Sequence, residues 1–360
     1  MHEPTQFCRG ELSTLPKAAA LALAVSLLLL SGCGSSSSTT AQTKKVLGIS
    51  LPFLSNEFFI VLDKLIEKDM KADGWRILPF SNANQKVDQQ ITDVNNLIAE
   101  GATALIVDPF DSSGIIPALN AADKAHVPVV LVDVGATGGK AYMSVHSDNK
   151  QAGGQVCDQM GKVLGQKNGS PSGTVLELQG DLSGVAGLDR TSGFEDCMKA
   201  KYPAVRVIAR PTHWNGTEAA NATQTIVATQ SIDAIYAQSD CGMAAPVIAT
   251  LKQAGKLVPV GQSGHIIIGA IDGCPPTLDA IRNGTLDFTV EQPIVSYAQR
   301  CAYFLDAALK GKNFEAGQDG FGGQMVTAPT GLEDLPPLTL VTKDNVEDPS
   351  LWGNQAKSFA

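Results

Sequence analysis

Residues 104–132 read ALIVDPFDSSGIIPALNAADKAHVPVVLV. Ala104–Val107 is an unbroken apolar run of strand length that stops at Asp108. Ile115, Ile116, Leu119 and Ala122 follow at helical spacing, and a second apolar run, Val127–Val132, stops at Asp133. Strand, amphipathic helix and strand make a βαβ unit. Strands that are apolar throughout belong to a parallel sheet covered by helices on both faces.

The same alternation extends in both directions. Upstream, Val46–Leu51 reads as a strand. Phe58, Leu62, Leu65, Ile66 and Met70 mark a helix over 58–72, Arg76–Phe80 is a second strand, and Val87, Ile91, Val94, Leu97 and Ile98 mark a second helix. Downstream the pattern restarts after Asn149. Val175–Leu178, Val205–Ala209, Ala234–Ala237, Ile266–Ile271 and Phe288–Val290 are strand candidates, with helices at about 150–166, 188–200, 217–229, 243–255 and 276–283. The expectation is an α/β fold of two doubly wound parallel-sheet lobes with a ligand cleft between them. One lobe comprises 45–146 plus about 293–327, the other 147–292 plus about 328–360. Hinge crossovers fall near 146–149, 292–294 and about 326–330.

A chain of 360 residues with 44% hydrophobic and 18% charged residues supports two cores. A net charge of −9 argues against a phosphate-backbone binder, so no nucleic-acid partner is expected. Ala18–Leu30 is a thirteen-residue apolar run, about 20 Å as a helix and shorter than the ~30 Å hydrocarbon core, which fits a signal segment over 1–32. Leu30-Ser31-Gly32-Cys33 resembles a bacterial lipoprotein cleavage motif. It implies a lipid on Cys33, a flexible tether over 33–44 and a chain exported and anchored on the outer side of the cell membrane. Cys157, Cys197, Cys241, Cys274 and Cys301 then remain. Two disulfides and one buried thiol are expected, with the pairing open, and no metal-ligand spacing occurs.

Several strands end in acid: Asp108, Asp133 and Asp272, with Asp240 after Ala237-Gln238-Ser239. Carboxyl ends of strands line the ligand crevice in open α/β sheets. Any single Asp there also suits a helix cap. The repetition across both halves, with aromatic residues and an Arg nearby, points to a site instead. Carboxylates, amides and one Arg framed by aromatic rings describe a pocket for an uncharged polyhydroxylated ligand. No phosphate-cradling loop is present, and no cofactor or resident metal is expected.

Ser55-Asn56-Glu57-Phe58-Phe59 resembles the opening motif of periplasmic ribose-binding proteins, the sugar-capturing components of ABC importers. The likeness runs over about 44–325 and includes Ser147-Asp148-Asn149, Glu177-Leu178-Gln179-Gly180, Arg190-x-x-Gly193-Phe194, Ala237-Gln238-Ser239-Asp240, Gly269-x-x-Asp272-Gly273 and Glu291-Gln292-Pro293. The resemblance implies the type I periplasmic-binding-protein fold. It also implies that Asn56 bonds a hydroxyl, that Phe58 and Phe59 stack on one ligand face and Trp214 on the other, and that Asp133, Arg190, Asp272 and Gln292 are polar contacts. Asp108 and Ser239 stand where the family has Asn, Val134 where it has Arg, and Glu57 where it has Pro. These departures point to a neutral sugar or polyol other than ribose.

The function expected is therefore capture of a sugar or polyol by a monomer that delivers it to an ABC permease, without catalysis. A sugar-sensing regulator on the same core would carry an N-terminal helix-turn-helix, where this chain has a signal segment. A secreted glycosidase would place two carboxylates across the cleft, and Asp133 with Asp272 is the pair to consider.

Overall fold

A computed structural model describes residues 44–54 and 57–356. The signal segment, Cys33 and Asn56 lie outside the described residues. Two sheets organise the chain. The first has nine strands and the second six.

At the centre of the first sheet Val46–Leu51 pairs in parallel with Ala104–Val107, which pairs with Val129–Val132, which pairs with Met143–Val145. Every residue of the first three of these strands is buried, as unbroken apolar runs require. The helix Glu57–Ala72 buries Phe58, Phe59, Val61, Leu62, Leu65, Ile66 and Met70 on one face of this sheet. Val87–Ala99 and Ile116–Lys124 bury Val94, Leu97, Ala118 and Leu119 on the other. The expected strand 76–80 is broken into Arg76–Ile77 and Ser81–Asn82, because Pro79 supplies no N–H to the ladder.

The second sheet runs Val205–Pro211, Gly173–Gln179, Ala234–Ala237, Ile267–Asp272 and Phe288–Glu291, all parallel, and ends in the antiparallel edge strand Thr339–Val341. Its helices are Asn149–Asn168, Val185–Lys201, Gly216–Thr229, Asp240–Gln253 and Pro275–Arg282. Asp148 caps the first of them, its carboxylate accepting from the Gln151 N–H at 2.8 Å.

Beyond Phe288–Glu291 the chain adds a helix and a hairpin that the sequence reading did not list, and one crossover lies later than expected. The helix Ile294–Leu309 returns the chain to the first lobe, burying Ile294, Tyr297, Cys301, Phe304 and Leu305. Gln324–Ala328 and Gly331–Leu335 then form a hairpin whose second strand pairs with Met143–Val145. The third crossover thus lies after Leu335, several residues beyond the expected 326–330, since Thr339–Val341 is the first stretch to rejoin the second sheet. The hairpin is held from below by the buried Arg300, whose guanidinium donates to Asp319 and, at 2.6 Å, to Asp334.

Cys157 pairs with Cys197, and Cys241 with Cys274. Cys301 is a buried free thiol in the first lobe. Both bridges lie in the second lobe. Among the described residues no helix is long and apolar enough to cross a membrane.

Candidate ligand-binding site

One cavity of about 60 Å³ is walled by both lobes. From the first lobe come Phe53, Phe58, Phe59, Asp108, Phe110 and Asp133, and from the second Arg190, Trp214, Ser239 and Asp272. Eight of the ten residues singled out in the sequence therefore line the same space. Asn56 lies outside the described residues. Gln292 is absent from the wall and sits in the crossover behind it.

The first-lobe wall is aromatic with bare carboxylates. Phe58 and Phe59 open the helix Glu57–Ala72, their ring centroids 5.2 Å apart and edge to face, and Phe53 packs on Phe59 at 4.7 Å. Asp108 follows the strand Ala104–Val107. It is fully buried, and neither carboxylate oxygen has a hydrogen-bond partner. Burial, then the charge of Asp133, push its pKa well above the usual carboxylate range, and the nearby Val134 amide offsets this only in part. Gln90 fixes the loop from outside, donating to the Asp108 carbonyl at 2.7 Å and accepting from the Phe110 N–H at 3.0 Å. Asp133 ends the strand Val129–Val132 at φ +63°, a left-handed conformation that turns its carboxylate away from the sheet. Burial raises its pKa to about 6, against the pull of Arg190 and with the push of Asp272.

The second-lobe wall is bonded to itself. Arg190, on the helix Val185–Lys201, donates through Nε to Asn149 at 2.8 Å and through Nη1 to the Gln238 carbonyl at 2.5 Å and Asp272 Oδ1 at 3.1 Å. Ser239 Oγ donates to the other oxygen of Asp272 at 2.5 Å. Desolvation still raises the Asp272 pKa, although Arg190 and Ser239 pull it down. The Arg190 guanidinium lies 5.4 Å from the Trp214 ring centroid, a cation–π stack that holds the indole in place. Trp214 takes φ +58° and rests on Gly180, where a Cβ would meet the ring at 2.0 Å. Glycine there is a steric requirement.

Asp240, read in the sequence as one more strand-end acid, has another task. Its carboxylate accepts from the Gly273 and Cys274 N–H groups and from Thr289 Oγ1 at 2.7 Å, so it shapes the loop that carries Asp272. Cys241 and Cys274 bind the same two loops covalently. Cys157–Cys197 joins the helix bearing Asn149 to the helix bearing Arg190. Among the described residues, the two places where sulfur gathers with a carboxylate are these same oxidised cysteines.

Behind the cavity the crossovers are tied by a chain of polar side chains. Gln292 Nε2 donates to Asn149 at 3.3 Å, and Tyr297 donates to Gln292 Oε1 at 2.5 Å. The Ser147 N–H donates to the Tyr297 oxygen at 2.9 Å. Trp352, from a four-residue helix near the C-terminus, donates through Nε1 to the Asp272 carbonyl at 2.7 Å, and its ring meets Phe58 edge to face at 6.1 Å. One side chain thus touches a wall of each lobe.

Sequence reasoning missed Phe53, Phe110, Gln90 and Trp352. Phe53 and Phe110 sit two and three positions past strand ends, just beyond the signal that picked out the acids. Gln90 reads as part of a polar helix face, and nothing local marks it.

The pattern of a periplasmic binding protein domain matches residues 47–313. Over 327 residues, 89% of this chain and 99% of the relative, the sequence is 28% identical to the ribose import binding protein of Bacillus subtilis. It is 27% identical to the xylitol-binding protein of Mycolicibacterium smegmatis, covering 88% of this chain and 83% of that one. An ABC transporter solute-binding protein of Mycobacterium smegmatis with bound glycerol superposes with a TM-score of 0.72 at 23% identity, covering 84% of this chain and 96% of that structure. One from Bacillus halodurans with bound myo-inositol gives 0.72 at 24%, covering 86% and 99%. The two structures share the two-lobed fold.

Proposed function

The chain belongs to the periplasmic binding protein domain family, which acts outside the cytoplasm, and from that premise we propose that its cleft captures a neutral sugar or polyol for delivery to an ABC permease. The observation that carries this reading is the composition of the interlobe cavity. Aromatic faces cover C–H surface, while Asp108 and Asp133 offer oxygens with no protein donor among the described residues.

Each lobe supplies only part of what a polyhydroxylated ligand bonds to. Asp108, Asp133 and the Phe pair come from one side, Arg190, Trp214 and Asp272 from the other. A ligand that engages both walls binds the closed arrangement better than an open one, and that difference in affinity drives closure about the crossovers. Asn56, by its resemblance to the family motif, and Gln292 in the crossover would add further polar contacts. A Kd of about 1 µM corresponds to about −8 kcal/mol, within reach of a ligand of five or six carbons. The chain acts as a binder and not a hydrolase, because Asp272 is held by Arg190 and Ser239 and is not free as an acid or nucleophile. A lipid on Cys33 would hold it at the membrane beside its permease.

The test is isothermal titration of the exported protein against aldoses, alditols and cyclitols, with candidate glycosides incubated alongside. Saturable binding of a hydroxylated ligand, lost in Asp133→Ala and Arg190→Ala, is the expected result. Turnover of a glycoside, or no binding across the panel, refutes the reading.

A further inference from the structure

The cavity is unbalanced in hydrogen-bond character. Both oxygens of Asp108 are buried and unpartnered, and among the described residues no group donates to the carboxylate of Asp133. Arg190 already uses Nε on Asn149 and Nη1 on Gln238 and Asp272, so Nη2 is the part of the guanidinium left for a ligand. Ser239 has its proton on Asp272 and offers a ligand only lone pairs. Among the described residues, acceptors therefore outnumber donors on the wall. Burial favours a proton on Asp108, yet even then three of the four oxygens of this carboxylate pair remain acceptors.

A ligand that suits such a wall brings a donor on every oxygen. Each hydroxyl donates one hydrogen bond, whereas the ring oxygen of a furanose or pyranose only accepts. Placed near Asp108 or Asp133, a ring oxygen sets lone pair against lone pair in a site shut off from water, where an unmade hydrogen bond is most costly. We propose that the cleft selects polyols in which every oxygen is a hydroxyl, alditols or cyclitols, over cyclic aldoses of the same carbon number. This rests on the capture reading above and narrows it.

Matched pairs test it: xylitol against xylose and myo-inositol against glucose, titrated into the intact protein at constant pH. The expected result is a preference of at least about tenfold for the hydroxyl-only member of one pair. Which pair shows it distinguishes an open chain from a carbocycle. In Asp108→Asn the new amide N–H₂ supplies donors in the same shape, so the preference falls several-fold while circular dichroism stays native. Asp133→Asn is the second variant should that one fail to fold. Xylose and glucose each binding as tightly as its partner overturns the inference and leaves sugar capture standing. So does an unchanged preference in both variants, or tighter binding of an amino-alditol than of the alditol, which would mean that the carboxylates await a cation. No binding by any compound removes the capture reading and this inference with it.

Discussion

The two walls of the cleft solve the same problem in opposite ways. In the second lobe Arg190, Asp272, Ser239 and Asn149 satisfy one another before any ligand arrives, and two disulfides tie down the loops and helices that carry them. In the first lobe Asp108 and Asp133 face the cavity with no donor among the described residues, and none of those residues forms a disulfide that braces that sheet. The contrast teaches where recognition resides. A self-bonded wall is a rigid platform that changes little between empty and filled states. A wall of unsatisfied acceptors is an energetic deficit that only the right ligand removes.

Arg190→Ala should produce the largest effect. It strands Asp272 in a buried setting and removes one of the two donors to Asn149, so a loss of about 3–5 kcal/mol in urea-unfolding stability is expected, together with loss of binding. Asp133→Asn, on the other wall, should cost little stability or add some, since it removes a charge that burial disfavours. Equal losses in the two variants would break the comparison. Replacing Cys241 and Cys274 together by Ser opens a loop of 33 residues and should cost about 3–4 kcal/mol. Amide hydrogen exchange should then rise in the second lobe and stay unchanged around Val46–Leu51. A rise in both lobes would show that the brace is not local.

Gln90→Ala sharpens the picture of the first wall. It leaves the Asp108 carbonyl and the Phe110 N–H unpaired, at about 1–3 kcal/mol, and loosens the loop that aims Asp108. Ligand affinity should fall with it, and an unchanged affinity would mean that the loop is held from elsewhere. The gentlest effect is that of pH. The folded-state pKa values of Asp133, about 6, and of Asp240 and Glu291, about 7, lie above those of free carboxylates. A raised acid gives its full stabilisation below about pH 4, and this is withdrawn as pH climbs through 6 to 7. The ligand-free Tm should therefore decline between about pH 4 and 7, and a saturating polyol that donates to Asp133 should flatten the decline. A Tm rising over that window would contradict the burial of these acids.

Much of this was legible in the chain before any fold was seen. Continuous apolar strands announced parallel sheets, and the acids at their ends announced the crevice, because period and strand polarity are local properties. Disulfide pairing was open because it depends on which helices become neighbours. Gln90, Tyr297 and Asn149 act through contacts 18, 150 and 41 residues away, and no local spacing encodes such reach. The hairpin Gln324–Leu335 escaped notice because its strands alternate weakly and one edge is exposed. The helix Ile294–Leu309, by contrast, carries the apolar spacing of its buried face in plain view.

Trp352 sets the order in which the binding pocket can mature. Asp272 and Phe58 both lean on one indole, which follows every strand of the two sheets in chain order. Both lobes can acquire their sheets without it, yet the pocket stays unfinished until that ring wedges between them. A chain with Trp352→Ala would therefore be shaped but empty-handed.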